Sequence, residues 1–100
     1  MTFSGGSYPE ITRWLWNFLT SHAKRVDPRI QVLLEAGDER EGKSYAARFR
    51  IGNQVGAVME FDYAEVAANR GSLAWCATLA ERTKERARIE LRGVTSAGAR

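Results

Sequence analysis

The feature that most constrains this chain is a change of period at Arg29: before it apolar residues recur at helical spacing, and after it they alternate. Ile11, Trp14, Leu15, Phe18, Leu19 and His22 follow the series i, i+3, i+4, i+7, i+8, i+11, which puts all six on one stripe of a 3.6-residue helix. Ser7, three residues before Glu10 and followed by Pro9, matches a capping box with proline in the first turn, so the helix is expected to start there. Lys24 and Arg25 complement the carboxyl end of the helix dipole, and Asp27-Pro28 stops it.

Beyond Arg29 the period is two. Ile30, Val32 and Leu34 form the apolar face of a first strand; Tyr45, Ala47, Phe49 and Ile51 that of a second; Val55, Ala57, Met59 and Phe61 that of a third. A two-residue Gly52-Asn53 turn would pair Ile51 with Gln54 and Phe49 with Gly56, mixing apolar and polar faces. Aligning Ile51 with Val55, Phe49 with Ala57, Ala47 with Met59 and Tyr45 with Phe61 keeps the rows together, which predicts a three-residue loop or a bulge near Gly52 to Gln54.

Asp62 followed by Glu65 repeats the capping logic and opens a second helix at Tyr63. Asn69-Arg70-Gly71-Ser72 is expected to kink or break it, since glycine costs about 1 kcal/mol in a helix interior and serine is a ready cap. Beyond the break, Leu73, Cys76, Ala77 and Ala80 make a stripe of small side chains suited to packing on the sheet, while Glu81 to Arg92 reads as a solvated helix. Met1 to Gly6 is expected to fray, and Gly93 to Arg100 reads as a disordered tail. The expected fold is α+β, in the order α-β-β-β-α: a three-stranded antiparallel meander with two helices packed on one face. Residues 1–92 form a single domain and 93–100 the tail.

A chain of 100 residues with 44% apolar content supports one core of this kind without a disulfide or metal staple. One cysteine, no basic-then-apolar leader and no run of about 18 apolar residues point to a cytoplasmic protein without a membrane partner. Twelve arginines and three lysines against twelve acidic residues leave a net charge of only +3, which permits nucleic acid without calling for it.

The chemistry a reaction would need is missing from the sequence pattern. The sole histidine, His22, lies on the apolar stripe, and Cys76 sits among Leu73, Ala77 and Ala80, surroundings that leave a thiol inert. No CxxC, HxxxH or HExxH spacing occurs, and Gly37-Asp38-Glu39-Arg40-Glu41-Gly42 lacks the alternation of a calcium loop. No enzymatic activity, cofactor or metal is therefore expected. Two features exceed what a core alone requires. Trp16 lies about 130° from the centre of the helix 1 stripe, and Trp75 and Leu79 lie opposite the Leu73/Ala77 stripe, where Trp75 either packs against helix 1 of the same chain or meets a partner. Arg48 and Arg50 occupy the outward face of the central strand, near Glu35 and Glu60.

The order helix, three strands, helix is similar in topology to that of double-stranded RNA-binding domains, although Asp62-Tyr63-Ala64-Glu65 stands where those carry a basic KKxAK start. It is also similar to the YbaB nucleoid-associated family of dimeric DNA binders, whose strand ends Leu34-Glu35 to Glu41-Gly42 and Met59-Glu60-Phe61-Asp62 loosely echo. Its long polar helix differs from the tryptophan-rich helix here, and the chain is assigned to neither family.

The function expected from these residues is that of a small protein-interaction domain, self-associating or bound to a protein partner through Trp16, Trp75, Leu79 or the Arg48/Arg50 face. The alternative is a nucleoid-associated-like, nucleic-acid-binding domain using that face, Lys43, and the basic end of helix 2 at Arg82, Arg86, Arg88 and Arg92.

Overall fold

Helix α1 runs from Tyr8 to Val26 in the computed structural model, which describes residues 7–98; the opening segment 1–6 and residues 99–100 lie outside it. The capping box forms as expected: Ser7 Oγ accepts from the Glu10 amide at 3.3 Å, and the Ser7 amide donates to Glu10 Oε1 at 3.0 Å. The helix ends where Asp27 turns extended, and Lys24 Nζ donates to the Pro28 carbonyl at 2.9 Å. Its buried line is Tyr8, Ile11, Leu15, Leu19 and Ala23, with Trp14 and Phe18 half-buried beside it.

Strand β1 (Gln31–Glu35) pairs antiparallel with β2 (Ser44–Ile51), placing Val32 opposite Phe49, Leu33 opposite Arg48 and Glu35 opposite Ala46. The third strand of the meander is divided into β3 (Gln54–Val55) and β4 (Met59–Asp62), so the sheet has four strands. Tyr45 lies opposite Phe61 and Ala47 opposite Met59, the expected apolar rows. The expected loop is corrected. Ile51 pairs with Gln54 across a simple two-residue turn, and Gly52 at φ +61° supplies the left-handed first position of a type II′ hairpin.

The two registers differ by one residue, and Gly56 to Val58 absorbs the difference as a bulge. The Gly56 amide still reaches the Phe49 carbonyl at 2.9 Å, while the Ala57 amide is taken by Glu90 Oε2 at 3.3 Å. A Cβ on Gly56 would overlap that same carboxylate, so the missing side chain is what admits it. The slip thus sits where a carboxylate from a distant helix can satisfy the freed backbone, not at the turn. Replacing Glu90 with Ala is expected to cost about 1 kcal/mol and to speed hydrogen exchange at the Ala57 amide, with Gln retaining most of the effect.

Asp62 caps α2 (Tyr63–Asn69), accepting from the Glu65 amide at 2.9 Å. The break falls at Arg70 to Ser72 as expected, and Ser72 Oγ accepts from the Trp75 amide at 3.2 Å to start α3 (Leu73–Gly98). Two expectations for this helix are overturned. Its buried line is Leu79, Thr83 and Ala87, extended by half-buried Trp75 and Leu91 in steps of four, whereas Leu73 is 88% exposed and Ala77 is exposed. Thr83 fits this line because its hydroxyl donates to the Leu79 carbonyl at 2.7 Å, so its own polar group is satisfied. The expected tail from Gly93 also fails: α3 continues to Gly98, because one interior glycine weakens a helix by only about 1 kcal/mol and no proline follows.

Residues of all three helices join Tyr45, Ala47, Phe49, Ile51 and Phe61 in one core. Tyr8 stacks on Tyr45 at 4.6 Å between ring centroids, and the Tyr45 hydroxyl, its pKa pushed up to about 12 by burial, donates to the Tyr8 carbonyl at 3.0 Å. The helices therefore form one layer and the sheet another, consistent with a shortest extent of 16 Å. No helix among the described residues lies over the far face of the sheet.

Candidate interaction surface

The uncovered face is built by the alternation of the strands. Residues that point away from Tyr45, Ala47 and Phe49 stand there: Leu33 and Glu35 on β1, Ala46, Arg48 and Arg50 on β2, Val55 on β3 and Glu60 on β4. Val58, next to inward-facing Met59, is 37% exposed and Val55 49%.

Charge on this face is partly spent internally. Arg40, on a 3-10 turn at Asp38–Arg40, makes a two-pronged contact with Glu60 at 2.9 and 3.2 Å, and its Nη1 also donates to Ser44 Oγ at 3.0 Å. The Arg40 hydrogen bond holds the Glu60 carboxyl below its usual range. Arg48 faces Glu35 at 3.9 Å, an ion pair too long for a hydrogen bond, and its Nε is buried with no partner among the described residues. Arg50 is exposed and has no ion-pair partner among them. Ala46, flanked in register by Glu35 and Glu60, is 1% exposed beneath these longer side chains.

The structure separates the sequence-predicted residues. Arg48 and Arg50 share the open face. Trp16 does not join them: it stands on α1 at the free edge of β1, 41% exposed, with its indole N–H donating to the Val32 carbonyl at 2.9 Å. That bond covers an outward-turned backbone acceptor and blunts the strand edge, a structural use for the residue. A groove of about 530 Å³ beside it is lined by Tyr8, Pro9, Thr12, Arg13 and Leu34. Leu79 is corrected as a surface residue, and of the two readings of Trp75 the packing against α1 is the one found. Leu79 is 3% exposed within the core, and Trp75 is half-buried, 6.5 Å from Trp14 between ring centroids, with its indole N–H on Glu65 Oε2 at 3.3 Å. Both lie on the buried line of α3, which a stripe chosen from small apolar residues missed.

His22 is half-buried, its ring 4.5 Å from Phe18 and its Nδ1 buried without a partner among the described residues. Burial lowers its pKa, as do Arg25 and Lys84, with Glu81 opposing them. Cys76 Sγ lies 3.4 Å from the Arg70 carbonyl. Among the described residues, no three His, Cys, Asp or Glu side chains gather as a metal-binding set, and no helix is long and apolar enough to cross a membrane.

Sequence reasoning missed Arg40, whose loop reads as merely solvated. Its contact with Glu60 spans 20 residues and has no local signal. No protein-family model, curated protein or solved structure matches this chain.

Proposed function

We propose that this protein is a non-enzymatic interaction domain that self-associates through the uncovered face of its sheet. The observation carrying this reading is the one-sided fold: the helices all pack on the Phe49 face, and the opposite face presents Leu33, Val55 and Val58 around arginines that are incompletely paired. Exposed apolar side chains set among charges mark a protein-contact surface more readily than a solvated one. A reducing compartment such as the cytoplasm suits a chain with one thiol.

Sedimentation equilibrium across a concentration series tests the reading. The average mass is expected to rise above that of the 11.2 kDa monomer as concentration increases. A strict monomer throughout would count decisively against it. Nucleic-acid binding has weaker support, because Arg48, Arg86 and Arg88 each face a carboxylate, at 3.9, 3.6 and 3.4 Å. A titration with duplex DNA and RNA at two salt concentrations discriminates, since phosphate contacts weaken steeply with salt.

A further inference from the structure

The uncovered face is ordered in levels that run across the strands. Glu35, Ala46 and Glu60 stand at one level, with Asp62 beyond them opposite Ser44. Leu33 and Arg48 stand at the next; Gln31, Arg50 and Val55 stand at the third. Along β2 the face therefore passes from acidic, through an apolar middle flanking Arg48, to basic at Arg50.

We infer that the partner this face fits is a second copy of the same chain, packed sheet to sheet with its strands antiparallel to those of the first. The inference rests on the reading of this face as a self-association surface and adds the orientation. A two-fold axis lying between the sheets and running across the strands reverses strand direction, so the Arg50 level of each copy comes over the Ala46 level of the other. The contact is made twice. An axis running along the strands would instead stack Arg50 on Arg50 and the carboxylates on one another, which like-charge repulsion disfavours.

The side chains suit the first arrangement. Ala46 is covered, 1% exposed, but the Glu35 and Glu60 side chains on either side of it are 56% and 60% exposed, so a guanidinium arriving from a second copy can meet their carboxylates. Arg50 has no internal ion-pair partner among the described residues, and Glu60, although held by Arg40, keeps free lone pairs. Leu33 meets Leu33 and Arg48 meets Arg48 at the axis, each Arg48 keeping its own Glu35 at 3.9 Å; an axis along the strands makes the same Arg48 contact, so Arg50 is what distinguishes the two arrangements. The face is small. Eight residues of β2 at roughly 3.3 Å each and three strands at roughly 4.8 Å spacing give roughly 26 by 14 Å. That lies below the roughly 800 Å² per partner of a standard interface, so the association is weak and charge decides it.

Sedimentation equilibrium of charge variants, up to roughly 500 µM chain so that a weak complex is populated, tests the arrangement. Arg50→Glu, at an exposed position, is expected to weaken self-association tenfold or more by placing carboxylate over carboxylate. Adding Glu35→Arg in the same chain is expected to restore it to within about threefold, because residue 50 of each copy then meets the new arginine of the other. Circular dichroism melts confirm that each variant folds, and the milder Arg50→Ala must weaken association in the same direction. If the wild-type chain stays monomeric at all concentrations, the self-association reading falls and the orientation with it. If it associates but Arg50→Glu associates equally well, or Glu35→Arg brings no recovery, the antiparallel arrangement is overturned and the self-association reading stands.

Discussion

Phe49→Ala is expected to cost about 3–5 kcal/mol, the largest loss from any single truncation on the inner face of the sheet. Phe49 is 1% exposed at the centre of β2, opposite Val32 and within the core that gathers residues of α1, α2, α3 and the sheet. Its ring is thus packed from several elements at once, and no single helix can move to fill the space it leaves. A domain of this size has about 5–15 kcal/mol in total, so the variant sits near its unfolding threshold at 37 °C. Its melting temperature is expected to fall by more than about 12 °C, read by circular dichroism. A loss under about 1.5 kcal/mol would mean that the cavity collapses, and hence that the helix layer is not held as the structure shows.

Leu79→Ala and Leu73→Ala form the second test, because the two residues lie on different faces of α3, one buried and one exposed. Leu79 is 3% exposed and is expected to cost about 2–5 kcal/mol on truncation; Leu73, at 88% exposure, is expected to change stability by less than about 0.5 kcal/mol. Urea denaturation of the two variants side by side gives the comparison. The reverse ranking would return α3 to the Leu73, Cys76, Ala77, Ala80 face that the small-residue pattern suggested.

That pattern shows where sequence reasoning reaches and where it stops. The Ser7 and Asp62 caps and the break at Gly71 are legible because each signal acts within about four residues of the backbone it serves. The pairing of Tyr45 with Phe61 is legible because the period of two leaves one register that keeps both apolar rows on one face. On α3 the reasoning fails because Thr83 reads as polar, although a helical threonine can satisfy its own hydroxyl by donating to the carbonyl four residues earlier. The candidate surface is half legible. Arg48 and Arg50 follow from alternation, but the openness of their face depends on all three helices choosing the other side.

Local chemistry and periodicity by themselves determined this protein's α+β class, the ends of α1, the start of α2 and the inner rows of β1, β2 and β4. They did not determine that of Val55 and Ala57, which the register slip turns away from the Ile51 and Phe49 expected opposite them. Tertiary structure alone decided three long-range contacts and which face of the sheet the helices cover. The Glu90 carboxylate meets the bulge amide across 33 residues, Arg40 meets Glu60 across 20, and the Trp16 indole covers the β1 edge across 16. Each is a side-chain contact, to a backbone group in two cases and to a carboxylate in the third, that only the packed elements bring together. The change of period at Arg29 therefore predicts a sheet with one buried face, while the packing of the helices leaves its other face, with Arg50 unpaired among the described residues, without a helix over it.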